Sequence, residues 1–333
     1  MINDDLAEAI LSRELNINRF DADLRKRVSD ELAKMDSEVL AKLKGDLTKW
    51  NRTDFNEKLK SVRKIIDDYY AEVADMTAKD LAGLSESEAS FIQNTVNELV
   101  DAEIFQSISK KEADGISLKA LIQGALLASW FAKLSADAYF RVSTQMRIGY
   151  GSGDKTAIDK VESQLKTNKS STLTIVSNSI RTVASVAREE VYKKNSSVLK
   201  GKLYVAVLDN RTSIGCIAYD GSVYDMDNKP IGKESLPYRD LPAHFNCRSM
   251  YIPILKSFKE IGLPEIPKST RSSMDGQVPE ETTFKDFLDK KGKAFQDEVL
   301  GKGKAQLWRD GKITLQQLLD QTGNPIPLKE LDK

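Results

Sequence analysis

Apolar residues recur at steps of three and four over the first part of the chain. This spacing places them on one face of a helix about seven turns long. The opposite face of the same segment is charged. The apolar positions are Ile17, Phe20, Leu24, Val28, Leu32, Met35, Val39 and Leu43. The pattern predicts a long amphipathic helix whose narrow apolar stripe packs against a neighbouring helix of the chain or against a partner.

Helical patterning continues as far as residue 192. A second helix is predicted from Thr53 to Tyr70, after a break. Ser85 is followed three residues later by Glu88, and this capping-box pattern predicts a new helix start there. The glycine-rich stretch 149–153 follows a helix rather than a strand and lacks the Walker spacing, which favours a flexible turn over a phosphate-binding loop. Further helices are predicted over residues 118–146, 154–165 and 170–192.

The sequence changes character after Gly201. Leu203–Leu208 is a short run with high β propensity, bounded by Gly201 and by the turn pair Asp209-Asn210. Short, turn-rich segments follow as far as Ile254. We therefore expect β-structure to be concentrated between 203 and 253, and the first 192 residues to be almost wholly helical.

The remainder of the chain divides into a linker and a tail. Prolines, serines and glycines between 256 and 282 are typical of an exposed linker. Amphipathic helix returns from 283, with breaks expected at Gly301 and Gly311. The pattern as a whole predicts an α+β protein with a mainly helical N-terminal body (1–194), a small mixed α/β module (195–255), a Pro/Ser-rich linker (256–282) and a helical C-terminal tail (283–333).

Composition narrows the classes of function. Lys and Arg together number 50 and are balanced by 50 Asp and Glu, so the basic excess that is usual in nucleic-acid-binding proteins is absent. The first residues lack the basic start and apolar run of a signal peptide. The most apolar stretch, 118–134, is too short to span a bilayer. We expect a protein without membrane contact that stays in a reducing cytoplasm until any export of a whole assembly.

One segment holds both cysteines and the only histidine of the chain. After the β-prone run it contains Asp-Asn-Arg-Thr at 209–212, a cysteine at 216, Asp-Gly at 220–221 and Pro-Ala-His-Phe-Asn-Cys-Arg at 242–248. This order of elements is similar to that of the phage Mu F-like head morphogenesis family. No single element is specific, but the ordered set is. The motif residues are Asp209, Arg211, Thr212, Cys216, Asp220, Gly221, His244, Cys247 and Arg248.

The resemblance implies a structural minor head protein of a tailed bacteriophage, and not an enzyme. It implies a role in head morphogenesis near the portal vertex, with the portal protein and other head proteins as partners. The implied location is the virion, after a stage in the host cytoplasm during assembly. Two alternatives stay open: an internal protein that makes weak contact with packaged DNA or is ejected with it, and an enzyme or toxin-like effector.

The cysteines and the histidine also indicate a chemistry of their own. Thiolate and imidazole groups suit Zn²⁺ in a tetrahedral site, so Cys216, His244 and Cys247 are candidate ligands, and Asp209 is the weakest candidate for the fourth. Alternatively, the cysteines are buried small apolar residues or form a disulfide, and the histidine fixes a turn. A Cys–His nucleophile pair is a further alternative.

The charged motif residues have a structural interpretation. Asp209 can pair with Arg211 or with backbone groups around the Asn210 turn, and Arg248 can meet Asp220. A network that holds the strand ends together is favoured over a catalytic one, since no paired-carboxylate or multi-histidine pattern accompanies these residues.

Four aromatic residues stand on the charged tail behind the linker. They are Phe284, Phe287, Phe295 and Trp308. Aromatic anchors on a tethered segment are typical of interfaces, so we predict that these residues bind a partner. The alternative is that the tail folds back and packs them on the helical body of the same chain.

Overall fold

The computed structural model describes residues 2–154, 156–257, 260, 270–279, 282–320 and 323–331. The part before residue 195 is almost wholly helical, and the first strand begins at Leu199. The protein is therefore α+β and mainly helical, as predicted. The long helices are α1 (Ile2–Leu43), α2 (Arg52–Val100), α3 (Lys110–Lys119), α4 (Leu127–Ser152) and α5 (Ala157–Lys194). None of the helices in the described ranges combines the length and the apolar character that a bilayer crossing requires.

The helix start predicted at Ser85 is wrong, because α2 continues through this position to Val100. A capping box acts on backbone amides that lack helical partners, and inside a helix those amides are already bonded. The Glu88 carboxylate instead accepts hydrogen bonds from Arg13 and Arg188. The Glu88 side chain therefore forms tertiary ion pairs and not the helix cap that the local pattern predicted.

The stretch 149–153 is not a free turn, because α4 includes its first four residues. Gly153 ends the helix in the left-handed conformation, with φ of 69°. A Cβ atom on Gly149 would lie 2.3 Å from the Cβ of Ala157, so the glycine permits the close approach of the start of α5. The two helices predicted over 154–165 and 170–192 are one continuous helix, α5.

Contacts between Cα atoms divide the chain into two compact units. Unit 1 comprises residues 1–16, 87–109 and 184–333, and unit 2 comprises 17–86 and 110–183. The apolar stripe predicted on α1 is buried at Leu24, Val28 and Leu32 within unit 2. This burial identifies the stripe as intramolecular core there.

A polar contact lies inside the core of unit 2. The Tyr70 hydroxyl lies 2.9 Å from Thr172 Oγ1 and accepts a hydrogen bond from Asn168 Nδ2 at 2.6 Å. Burial raises the pKa of Tyr70 to about 12. These hydrogen bonds satisfy polar groups that would otherwise be costly to bury.

Unit 1 contains a buried ion cluster. Glu88 is fully buried and accepts from Arg13 Nε at 2.7 Å and from Arg188 Nη2 at 2.7 Å. Glu14 lies 3.4 Å from Arg188 Nη1. Two guanidinium groups and two carboxylates therefore balance one another, which offsets the cost of removing them from water.

The module, residues 195–255, contains β1 (Leu199–Val205), α6 (Ile214–Tyr219), β2 (Val223–Tyr224), β3 (Pro230–Ile231) and β4 (Met250–Leu255). The four strands form an antiparallel sheet in the order β3-β2-β1-β4. In the β1–β4 ladder Val205 lies opposite Met250 and Leu203 opposite Ile252. The end of β1 and the start of β4 therefore lie at the same edge of the sheet.

Gly201 does not precede the strand, as the sequence predicted, because it lies inside β1. The register between β1 and β4 shifts between Leu199 and Gly201, as in a β-bulge. A Cβ atom at Gly201 would lie 2.2 Å from the carbonyl oxygen of Tyr224 in the neighbouring strand. The glycine is therefore required by close backbone approach within the sheet.

The region predicted as an exposed linker contains a β-hairpin formed by β5 (Thr270–Ser273) and β6 (Gly276–Pro279). β-Structure therefore extends beyond residue 253, the limit that the sequence predicted. Part of the predicted linker, residues 258–259 and 261–269, lies outside the described residues.

The tail is helical, as predicted. Its helices are α7 (Phe284–Asp289), α8 (Lys293–Leu300), α9 (Lys302–Arg309) and α10 (Leu328–Leu331), with a 3-10 turn at Gln316–Leu318. The predicted breaks fall at Gly301 and Gly311, which have φ of 79° and 69°. Such positive values favour glycine, which explains why these residues separate the helices.

Replacing Glu88 by Ala should lower the free energy of unfolding by about 3–5 kcal/mol, because it leaves the Arg188 guanidinium buried without its main partner. Urea titration followed by circular dichroism measures this loss. The matched control is Glu190→Ala on α5, two residues from Arg188, where the carboxylate is exposed and pairs with Lys193. The control should change stability by about 1 kcal/mol or less. Equal effects of the two substitutions would contradict the importance assigned to the buried cluster.

Candidate functional site

Helix α6 and the loop before β4 bring the two cysteines and the histidine together. Ser213 caps α6, since its side chain accepts from the amide of Cys216 at 3.3 Å. In the loop, the amide of Cys247 donates to the carbonyl of His244 at 3.1 Å, which closes a tight turn. One potential ligand atom from each of Cys216, His244 and Cys247 lies within 4.8 Å of the other two. Three of the four predicted ligands therefore converge.

The distances within this cluster are short. Cys216 Sγ lies 3.7 Å from Cys247 Sγ and 3.3 Å from His244 Nε2. Ser213 Oγ lies 2.8 Å from the same ring nitrogen. His244 Nδ1 lies 2.8 Å from the carbonyl oxygen of Phe245, an acceptor, so Nδ1 is the donor there. That hydrogen bond orients the ring so that Nε2 faces the sulfur of Cys216.

Electrostatics distinguish the two sulfurs. A hydrogen bond from the Cys247 thiol lowers the pKa of Cys216 far below its ordinary value, against the effect of burial, and His244 and Ser213 lower it further. The hydrogen bond to Cys216 and burial raise the pKa of Cys247. The hydrogen bond with Cys216 raises the pKa of His244. These contacts therefore favour the thiolate form of Cys216, the form that both metal binding and nucleophilic chemistry need.

A small crevice lies beside the cluster. Its volume is about 10 Å³, which is about the space of one water molecule. The lining residues are Val207, Arg211, Thr212, Ser213, Cys216, His244, Asn246, Arg248 and Ser249. The crevice therefore places room for a water-sized group next to Cys216 and His244.

Asp209 lies outside the cluster of three ligands. Its two carboxylate oxygens accept from Arg248 Nη1 and Nη2, both at 2.7 Å. Burial opposes the ionisation of Asp209, but the hydrogen bonds from Arg248 and from the amide of Arg211 outweigh it, so the pKa of Asp209 lies below its ordinary value. The predicted pair of Asp209 with Arg211 is only a long contact of 3.8 Å to an exposed guanidinium. Asp209 therefore forms a bidentate ion pair with Arg248 and does not belong to the set of converging ligands.

Asp220 does not meet Arg248, contrary to expectation. Its Oδ1 accepts from the amide of Ala206 at 2.7 Å, and its Oδ2 accepts from the amide of Phe284 at 2.7 Å. The next residue, Gly221, has φ of 84° and donates to the carbonyl of Tyr204 at 3.0 Å. The Asp-Gly pair therefore connects the end of β1 with the start of the tail.

The aromatic residues of the tail are packed inside unit 1. Phe284, Phe287 and Trp308 are buried, and Phe295 packs against the same core. This core includes Leu208 and Ile217 of the module. The tail therefore folds back onto the module, and these residues are not exposed anchors for a partner. The prediction that they bind a partner is corrected by this burial.

Sequence reasoning missed Arg239. Its Nη2 donates to the Tyr204 hydroxyl at 2.7 Å and lies 3.7 Å from Cys216 Sγ. Its guanidinium carbon lies 3.8 Å from the centre of the Tyr219 ring. The Tyr251 hydroxyl donates to the carbonyl of Arg239 at 2.7 Å. One feature of the sequence could have indicated this cluster: five of the ten tyrosines fall between residues 199 and 255, and aromatic rings attract a guanidinium group.

Comparison with known proteins bears directly on this region. Residues 141–252 match the family described as Phage Mu protein F like protein. The match begins within α4, ends within β4 and includes all three residues of the cluster. The chain is therefore similar to the Mu F-like family over residues 141–252, which confirms the resemblance found in the sequence. No curated protein and no solved structure matches the chain significantly.

Replacing Asp209 by Asn should lower the free energy of unfolding by about 1–3 kcal/mol at neutral pH, because Arg248 loses a charged acceptor. The pKa of Asp209 is lowered on folding, so its stabilisation is present above about pH 4 and is lost as the pH falls through the folded value. The difference between the two proteins should therefore shrink on acidification. Urea titrations at several pH values measure it. The control Asp227→Asn removes an exposed ion pair and should have little effect.

Deleting the chain from Glu280 onward should destabilise the module. The deletion exposes Leu208 and Ile217 and leaves Asp220 without the amide of Phe284. Hydrogen exchange at the amides of β1 and α6 should become faster. The control ends the chain after Pro327 and removes only α10, which has no buried residues. Unchanged exchange in the longer deletion would show that the tail is not part of the core of unit 1.

Proposed function

We propose that this protein is a minor head protein of a tailed bacteriophage that acts in head morphogenesis near the portal vertex. The observation that carries the proposal is the Mu F-like match over residues 141–252. The proposed location is the phage head, reached from the host cytoplasm during assembly. The proposed partners are the portal protein and other head proteins.

The architecture supports a structural role. The motif residues of the matched segment bind one another and the backbone: Asp209 binds Arg248, and Asp220 joins two amides. These contacts hold the strand ends and the tail together, so the motif residues have structural partners within the chain. The crevice at the cluster has room for about one water molecule.

The surface of unit 2 supports contact with another protein. Exposed large apolar side chains are frequent in one part of its sequence, at Leu118, Leu121, Leu126, Phe140 and Ile148. Phe140 and Ile148 lie two helical turns apart on α4, and Phe140 is 67% exposed. Apolar side chains left in water favour association with a partner that covers them. We propose another head protein as that partner, because the matched family is head-related.

Cross-linking mass spectrometry of purified phage heads tests the proposal. The protein should be present in heads and should give lysine cross-links to portal subunits. Absence from heads, or cross-links to the major capsid protein alone, would contradict the portal-proximal role. After triggered DNA release, the protein should stay with the emptied heads. Release together with the DNA would instead support the alternative of an internal, ejected protein.

A pair of variants tests the apolar surface. Phe140→Ser should reduce incorporation into heads at least several-fold without a loss of folding, since the replaced side chain is mostly exposed. Leu15→Ser is the matched control, because Leu15 is 62% exposed but belongs to unit 1. Quantitative immunoblots of purified heads measure incorporation. Equal incorporation of both variants would contradict the proposed role of the apolar surface. The assignment of the protein to the head would then depend on the cross-linking result alone.

A further inference from the structure

We propose that Cys216 Sγ, Cys247 Sγ and His244 Nε2 bind one zinc ion, which fastens the start of α6 to the loop that precedes β4. The proposal does not depend on the role in the phage head. It rests on the geometry of the three side chains, on the contacts that orient them and on the space beside them.

The spacing of the ligand atoms fits tetrahedral zinc. Zinc binds thiolate sulfur at about 2.3 Å and imidazole nitrogen at about 2.0–2.1 Å, so tetrahedral angles separate two sulfurs by about 3.8 Å and a sulfur from a nitrogen by about 3.5 Å. The sulfurs of Cys216 and Cys247 lie 3.7 Å apart. Cys216 Sγ and His244 Nε2 lie 3.3 Å apart. Both separations agree with the expected edges of the coordination shell within a few tenths of an ångström.

The surroundings of His244 prepare it to bind a metal. Metal-binding histidines usually donate the N–H of the other ring nitrogen to a carbonyl or carboxylate, which fixes the tautomer and the ring orientation. His244 Nδ1 makes this contact with the carbonyl of Phe245 at 2.8 Å. Nε2 then faces Cys216, and it becomes the ligand atom when zinc displaces the proton that it shares with the sulfur. The hydrogen bond from the Cys247 amide to the His244 carbonyl holds the other loop ligand in the same turn.

Positive charge near the sulfurs favours their thiolate forms. Arg239 Nη2 lies 3.7 Å from Cys216 Sγ and is held there by the Tyr204 hydroxyl. Zinc binding releases the thiol proton of Cys247, and the doubly charged ion balances the two thiolates. Soft sulfur ligands together with imidazole select zinc over magnesium or calcium, which prefer oxygen.

Three protein ligands leave the fourth position to solvent. Asp209 is unsuited to it, because both of its oxygens bind Arg248. The crevice beside Cys216 and His244 has a volume of about 10 Å³, enough for one water molecule. Ser213 Oγ lies 2.8 Å from His244 Nε2 and already caps α6, so we assign it to orienting the site rather than to binding the ion.

Zinc analysis of the full-length protein, purified under reducing conditions and then equilibrated with zinc sulfate, tests the proposal. Monomeric, folded protein should hold about one zinc per chain after removal of free ion. Cys216→Ser, Cys247→Ser and His244→Ala should each reduce the bound zinc at least tenfold. Arg211→Ala is the matched control, because its exposed side chain lines the same crevice without binding a ligand atom, and it should retain the ion. Retention of zinc by the ligand variants, or its absence from the wild-type protein, would overturn the proposal.

Two measurements on the unmodified protein remain decisive if the variants fail to fold. Bound zinc should protect both thiols from alkylation, and a chelator should restore their reactivity. The cobalt-substituted protein should show the visible absorption of a tetrahedral site with sulfur ligands. Thiols that react equally with and without zinc, or a Cys216–Cys247 disulfide in the protein as isolated, would show that the cluster is not a metal site.

Discussion

The candidate site depends on the antiparallel pairing of β1 with β4. This ladder sets Val205 opposite Met250, so the chain leaves β1 and enters β4 at the same edge of the sheet. The residues just beyond that edge are Asp209 on one side and Arg248 on the other, and they form a two-pronged ion pair. Strand register therefore brings together two parts of the motif that are far apart in sequence, and the cysteine cluster lies beside them.

Asp220 extends this arrangement to the tail. One carboxylate oxygen binds the amide that follows β1, and the other binds the first amide of α7. The apolar residues of the tail then cover Leu208, in the loop after β1, and Ile217 on α6. The tail therefore shares one hydrophobic core with Leu208 and Ile217, while the strands of the four-stranded sheet pack in a separate cluster that also includes other residues of α6. Because α6 contributes to both clusters, disturbing the tail exposes apolar surface on α6.

The module contains few long apolar runs, and much of it lies in loops. The sheet is small, with β2 and β3 only two residues long each. Stability therefore depends on specific contacts: the Asp209–Arg248 pair, the backbone contacts of Asp220, and the tyrosines packed around Arg239. The proposed zinc ion would add a link of the same kind, since it would join α6 to the loop before β4.

The sequence by itself determined the fold class, the helical body, the presence of a strand before Asp209 and the breaks at Gly301 and Gly311. The bounds of that strand were wrong, since β1 is Leu199–Val205 and not Leu203–Leu208. The features that the sequence determined follow from local rules, namely the helical period, β propensity and the positive φ that glycine accepts. It also indicated the similarity to the Mu F-like family over residues 141–252, because the ordered motif can be recognised without any knowledge of contacts. Only the tertiary structure decided which partners these residues have. Ser85 and Glu88 satisfy a local capping rule, yet Glu88 binds two arginines, and the tail aromatics that suggested an interface lie in the core of the chain. Arg248 likewise binds Asp209 and not Asp220, which binds two backbone amides instead. Pairing between charges that are distant in sequence depends on strand register and on the position of the tail, and no local pattern specifies either of them.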